Sequence, residues 1–164
     1  MSLLKKIVYN KIKKANTMAL LYAEQVEHMD VDEMQNTHDE EIAILNEVDK
    51  LATYYWLDKS PEKLKELEIK LDEYLVHVKV HFANEERLMN KYNFPKYEMH
   101  KMAHDMFLMD ITLAIKQWKH SGNIDKVIRF IRSSPEWIVL HINTVDAPTS
   151  IYLSHMMAKE AEAK

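Results

Sequence analysis

Cysteine is absent from the 164 residues, glycine occurs once and proline four times. Without cysteine there is no disulfide, no thiolate nucleophile and no Cys-based zinc or iron–sulfur site. One glycine cannot build a phosphate-binding loop. So few glycines and prolines also argue against a β-sandwich or barrel, whose many tight turns consume both. No apolar run approaches the ~18 residues that cross a bilayer. Basic excess is missing too: 22 Lys+Arg against 26 Asp+Glu leave a net charge of −4, which is no footprint for nucleic acid. The start is basic, but no small-residue cleavage site follows it, so a cytoplasmic protein is expected.

What the chain does have is helix-period apolar spacing, nine His and 11 Met. Hydrophobic residues make up 47 % and charged residues 29 %, which suits one folded domain and rules out disorder. Leu3, Leu4, Ile7, Val8 and Ile12 share one face of a predicted helix over residues 3–27, with Lys5, Lys6, Lys11, Lys13 and Lys14 around the rest. This basic amphipathic segment is read as packing on its own bundle or on another chain, not on a membrane. An acidic break covers residues 29–36. A second helix is predicted over 37–57. Ser60-Pro61 then restarts the chain as N-cap and first helical residue, for a helix over 61–91. Asn93-Phe94-Pro95 breaks it. A fourth helix covers 95–120 and stops at Ser121-Gly122, where a left-handed cap is expected. A fifth starts near Asn123, is interrupted at Ser133-Ser134-Pro135, resumes through Asn143 and ends before Ala147-Pro148. Four long helices with short breaks predict an all-α, antiparallel up-and-down four-helix bundle with an extra N-terminal amphipathic helix. The expected organisation is an extension over 1–33, the bundle over 34–147 and a tail, itself open to being helical, over 148–164.

Histidine is distributed in a pattern that scattered surface or core residues do not give. Each of the four bundle helices carries one element of it: His38, then His81 with Glu85 four residues on, then His100 with His104, then His141 with Asp146. Residues four apart share a helix face. Asp146 follows His141 by five, at what is read as a frayed helix end where the chain can turn back. Burying five imidazoles and two carboxylates without partners would cost several kcal/mol per group. Metal ions remove that cost, since each ligand then faces a cation. Imidazole and carboxylate without thiolate suit two divalent ions of iron, zinc or manganese. The ferritin type of di-iron bundle needs Glu-x-x-His, and no His here has Glu three residues before it.

These blocks resemble the hemerythrin family in its bacterial single-domain form. Thr37-His38-Asp39-Glu40-Glu41 leading to Leu45-Asn46 is similar to the first ligand helix. His81-Phe82-Ala83-Asn84-Glu85-Glu86-Arg87-Leu88-Met89 matches the HFxxEExxM block, His100 to His104 the HxxxH block, and Trp137 to Asp146 the WxxxHIxxxD block. The likeness spans about Met34 to Asp146. It implies that His100, His104 and His141 hold one iron and His38 and His81 the other. Glu85 and Asp146 would bridge them together with an oxo or hydroxo group, and the two-His iron would keep one position open. Reversible dioxygen binding at that non-haem di-iron centre, for storage, delivery or sensing, is the activity implied. The alternative is a di-iron redox enzyme acting on peroxide, nitric oxide or an electron donor. Trp137 and Ile138, one turn before His141, are candidates for the apolar wall around the bound ligand, followed by Phe82 and Phe107. His77 departs from the family, which more often has an aromatic there, and is read as a core histidine with a partner. His28, His120 and His155 lie outside the blocks and are read as exposed or structural. A homo-oligomer or a protein partner is left open.

Overall fold

The computed structural model describes residues 18–164. The part of the N-terminal amphipathic segment before Met18 therefore lies outside the described residues. Five α-helices follow one another: α1 (Asp32–Leu57), α2 (Pro61–Lys91), α3 (Tyr97–Ser121), α4 (Asp125–His141) and α5 (Ala147–Glu162). A π-helical turn, Ile142–Asp146, joins the last two. Helix α1 packs on α2 and α4, and α3 packs on α2 and α4, which closes the ring of an up-and-down bundle. Leu45, Val48, Leu67, Leu71, Val78, Ile111, Val127 and Ile131 fill its axis, all fully buried. The all-α bundle read from the sequence is what forms, with no strand among the described residues.

The helix ends follow local chemistry. Ser60 accepts a hydrogen bond from the Lys63 N–H, and Pro61 occupies the first turn of α2. Gly122 ends α3 with φ 72°, its N–H donating to the Trp118 carbonyl at 2.7 Å. A residue with a Cβ would pay for that left-handed conformation.

Four sequence expectations need correction. The helix predicted over 3–27 does not run through residues 18–27, which hold only a short 3₁₀ turn, Ala23–Gln25. Bundle side chains capture the backbone there instead. Asn46 Oδ1 accepts from the Leu20 and Leu21 N–H groups and its Nδ2 donates to the Leu21 carbonyl; Asn143 does the same for Glu27 and Gln25. Helix α1 starts at Asp32, not near 37, because the Ser150 hydroxyl accepts from the Val31 N–H and fixes the chain entry. The acids of the supposed break, Asp32 and Glu33, sit in the first turn, where the helix dipole favours them.

Helix α4 is not interrupted at Ser133-Ser134-Pro135. Proline removes the N–H that would bond the carbonyl four residues back. That carbonyl, on Ile131, is instead satisfied by the Ser134 hydroxyl at 2.8 Å. Nor does the chain end its helical run before Ala147: the π turn leads into α5, with Pro148 in its first turn.

Candidate metal centre

Each ligand candidate reaches the bundle axis from its own helix. His38 is on α1, His81 and Glu85 on α2, His100 and His104 on α3, His141 at the end of α4 and Asp146 at the end of the π turn. All seven are at most 5 % exposed. In a regular α-helix, residues five apart point about 140° away from each other. The wider π turn brings His141 and Asp146 onto one side, with His141 Nε2 at 3.1 Å from Asp146 Oδ1. The expected frayed end is thus an ordered π turn, a feature often found at functional sites.

The donor atoms divide into two groups. His38 Nε2 lies 3.2 Å from Asp146 Oδ2 and 3.7 Å from Glu85 Oε1, and His81 Nε2 lies 3.2 Å from the same Glu85 oxygen. On the other side, His104 Nε2 is 3.3 Å and His100 Nε2 3.5 Å from Glu85 Oε2. His100 Nε2 is also 3.0 Å and His141 Nε2 3.1 Å from Asp146 Oδ1. Each carboxylate therefore presents one oxygen to a two-His group and the other to a three-His group.

Seven of the inward atoms have no hydrogen-bond partner: the Nε2 atoms of His38, His100, His104 and His141, Glu85 Oε2 and both Asp146 oxygens. Buried polar atoms are almost always paired. Unpaired ones gathered at one point are what a cation would satisfy, and the ~3 Å spacings suit neighbouring donors each about 2.1 Å from a shared ion.

The outer ring nitrogens are tied down. His81 Nδ1 lies 2.7 Å from Glu41 Oε2, His104 Nδ1 3.3 Å from Glu86 Oε1, and His100 Nδ1 3.2 Å from the Thr149 hydroxyl. Such partners fix ring orientation and raise the basicity of the inward nitrogen. The Tyr74 hydroxyl donates to Glu41 at 3.3 Å, extending this network into the core. Sequence reasoning gave roles to none of these four. Glu41 and Glu86 do lie inside the quoted blocks, three residues after His38 and five after His81, so their positions hold a signal. Thr149 and Tyr74 carry none.

Charge is arranged for a cation. Burial raises the Glu85 carboxyl, but His81, His100 and His104 outweigh it and hold the group well below the usual carboxylate range. Asp146 is raised by burial and by Glu85, and then lowered further than that by His100, His141 and His38. Both are ionised at neutral pH. Burial lowers His100, yet Asp146 and Glu85 raise it overall to about 9. His81 is likewise lowered by burial and raised further by Glu85 and Glu41. In His104 burial wins and the pKa falls.

Aromatic rings pack against the imidazoles. Phe82 stacks on His104 at 3.9 Å, and Trp137 stacks on His141 at 4.4 Å, with Phe107 behind Trp137 at 4.4 Å. Ile138 is buried in the core, one turn before His141. His77 has a partner, as read: its Nε2 donates to the Thr37 carbonyl at 3.1 Å. His28, His120 and His155 are exposed. A narrow cleft between α1 and α2, lined by Glu33, Met34, Thr37, Asn84 and Leu88, reaches His81 and Glu85.

Fold and site together define a helical-bundle protein with a buried imidazole–carboxylate centre able to hold metal ions. No family model and no solved structure matches the chain. Two curated proteins do. A bacteriohemerythrin of Aquifex aeolicus is 34 % identical over 119 residues, covering 71 % of this chain and 85 % of that protein. A bacteriohemerythrin of Ralstonia nicotianae is 27 % identical over 84 residues, covering 51 % and 61 %. The chain belongs to the hemerythrin family.

Proposed function

We propose that the protein binds dioxygen reversibly at a di-iron centre. His100, His104 and His141 hold one iron in this reading, and His38 and His81 hold the other. Glu85 and Asp146, each facing both groups, would be shared between the two. The observation that carries the assignment is the division of both carboxylates between a three-His and a two-His group. The group of His38 and His81 offers one imidazole fewer than the group of His100, His104 and His141, so a metal held there would have room for an exogenous molecule, and an open position is what lets a metal site bind a ligand. The iron pair supplies the electrons for binding dioxygen.

The chain's own residues do the rest. Glu41 holds the His81 ring, so the imidazole beside the open position cannot rotate away. Phe82, Trp137 and Ile138 exclude water from the imidazoles. A dry wall slows proton delivery and loss of the bound ligand, which favours carriage over turnover. His77, the histidine one turn before His81, has its Nε2 committed to the Thr37 carbonyl and is not a free proton donor for turnover. The narrow cleft by Met34 and Leu88 leads toward His81, and in this reading a small apolar molecule enters there.

The test is spectroscopic. Iron-loaded protein is reduced without air and then exposed to it. A visible ligand-to-iron charge-transfer band should appear and vanish under vacuum. A colourless zinc protein would defeat the reading. A band that decays within seconds with release of peroxide would transfer the assignment to a redox enzyme.

A further inference from the structure

Helix α3 carries ligand candidates on one side and an unusual surface on the other. Met99, Met102, Met106, Met109 and Leu113 are each 50–62 % exposed. Their spacing alternates three and four residues, the a and d positions of a heptad, over roughly 21 Å of helix. Surface helices normally place polar residues there. The stripe amounts to about 500 Å² of apolar surface, at the upper end of what monomers expose. Methionine adapts its shape to a partner surface, a use to which such clusters are often put.

We propose that this stripe is the seam of a homodimer in which α3 pairs with α3 of a second copy, antiparallel. Two copies would remove roughly 1,000 Å² of stripe from water, and the flanking residues more, which reaches the size of a specific interface. The charges at the stripe's edges choose the orientation. Glu98, Asp105, Thr112 and Lys119 line one edge, and Ala103, Asp110 and Gln117 the other. A parallel pair sets Asp105 opposite Asp110 of the other copy, twice, and like charges there repel. An antiparallel pair with its two-fold axis between Met106 and Met109 avoids this. Met106 then meets Met109, Met102 meets Leu113, Asp105 meets Thr112, and Glu98 faces Lys119 at both ends. The Asp105 charge is further offset by Lys101, 2.6 Å away on the same helix. The ligand helices sit back to back across such a seam, and the cleft between α1 and α2 stays clear of it.

Sedimentation of the full chain at about 100 µM tests the proposal. The wild type should run as a dimer. Met102→Glu combined with Met109→Glu should run as a monomer with unchanged helicity and metal content, because both positions face outward. Orientation is read separately from spin labels on Ser121→Cys in this cysteine-free chain. The labels should lie roughly 40 Å apart in the antiparallel register, against about 10–20 Å in a parallel pair. A monomeric wild type overturns the proposal, and one that also floats with lipid vesicles reassigns the stripe to a membrane surface. A dimer indifferent to the double substitution, or a short label distance, overturns it equally. None of these readouts depends on the iron assignment.

Discussion

Removing the metal should cost stability, and the cost of losing a ligand should depend on whether metal is present. Eight buried nitrogen and oxygen atoms of His38, Glu85, His100, His104, His141 and Asp146 have no hydrogen-bond partner. An unsatisfied buried polar group costs about 1–3 kcal/mol, while a whole domain is stable by only about 5–15 kcal/mol. Imidazolium–carboxylate pairing and water entry recover part of that in the metal-free protein. A net deficit of about 4–6 kcal/mol is expected, equivalent to a melting point lower by roughly 10–20 °C at this chain length. Substituting His141→Ala separates site from packing. In the metal-free protein the change deletes one unpartnered Nε2 and the stack on Trp137, two effects of opposite sign, so melting should move by less than about 3 °C. In the loaded protein the same change breaks the three-His group, and most of the metal-dependent increment should disappear. Calorimetry on both proteins, each loaded and demetallated, gives the four values needed. Equal cost of His141→Ala in the two states would refute the claim that these atoms are held together by a cation.

Further expectations rest on separate contacts. Glu41→Gln should weaken metal binding by about 10–100-fold, as loss of a histidine's outer partner does, with helicity unchanged; competition with a chelator of known affinity measures it. Ser134→Ala strands the Ile131 carbonyl above Pro135 and should destabilise by about 1–2 kcal/mol without altering metal affinity, as read by urea unfolding. In the metal-free protein His100 and His81 have folded pKa values above the unfolded value near 6.5, so their contribution is complete below that pH and fades as pH rises through the folded values, about 9 for His100. Metal-free protein should therefore lose melting temperature from pH 6.5 to 9, while metal affinity rises over the same range as protons cease to compete. Calorimetric titration in buffers of different ionisation enthalpy should find about two protons released per loaded site near pH 7.

Much of this architecture was legible because it rests on local rules. Ser60-Pro61 and Gly122 punctuate the chain by chemistry that acts within one turn, and the four-residue steps from His81 to Glu85 and from His100 to His104 need only the helix period. Failures occurred where a distant side chain overrode the local signal. Residues 18–27 have apolar spacing compatible with a helix, but Asn46 and Asn143, from helices far along the chain, offer their backbone better partners. Pro135 reads as a break until Ser134 is seen to supply the bond that proline cannot donate, a substitution specified by neighbours yet invisible to a rule that counts proline as a stop.

The candidate centre divides along the same line. Its inward nitrogens could be anticipated from residue type and spacing, since each lies on the buried side of its own helix. The five-residue step from His141 to Asp146 was the exception, because helical geometry alone sends the carboxylate to the wrong face. One extra residue absorbed as a π turn corrects the angle, and that residue costs helix regularity to gain a carboxylate shared between two donor groups. Without the turn, Glu85 would be the only oxygen source among the described residues reaching both sides. The three-His and two-His groups would then be joined at one point and free to separate. With it, the two carboxylates approach from α2 and from the π turn that follows α4, so the spacing between the groups is set by helix packing on both sides. The irregular turn is thus the element on which the asymmetry of the centre depends.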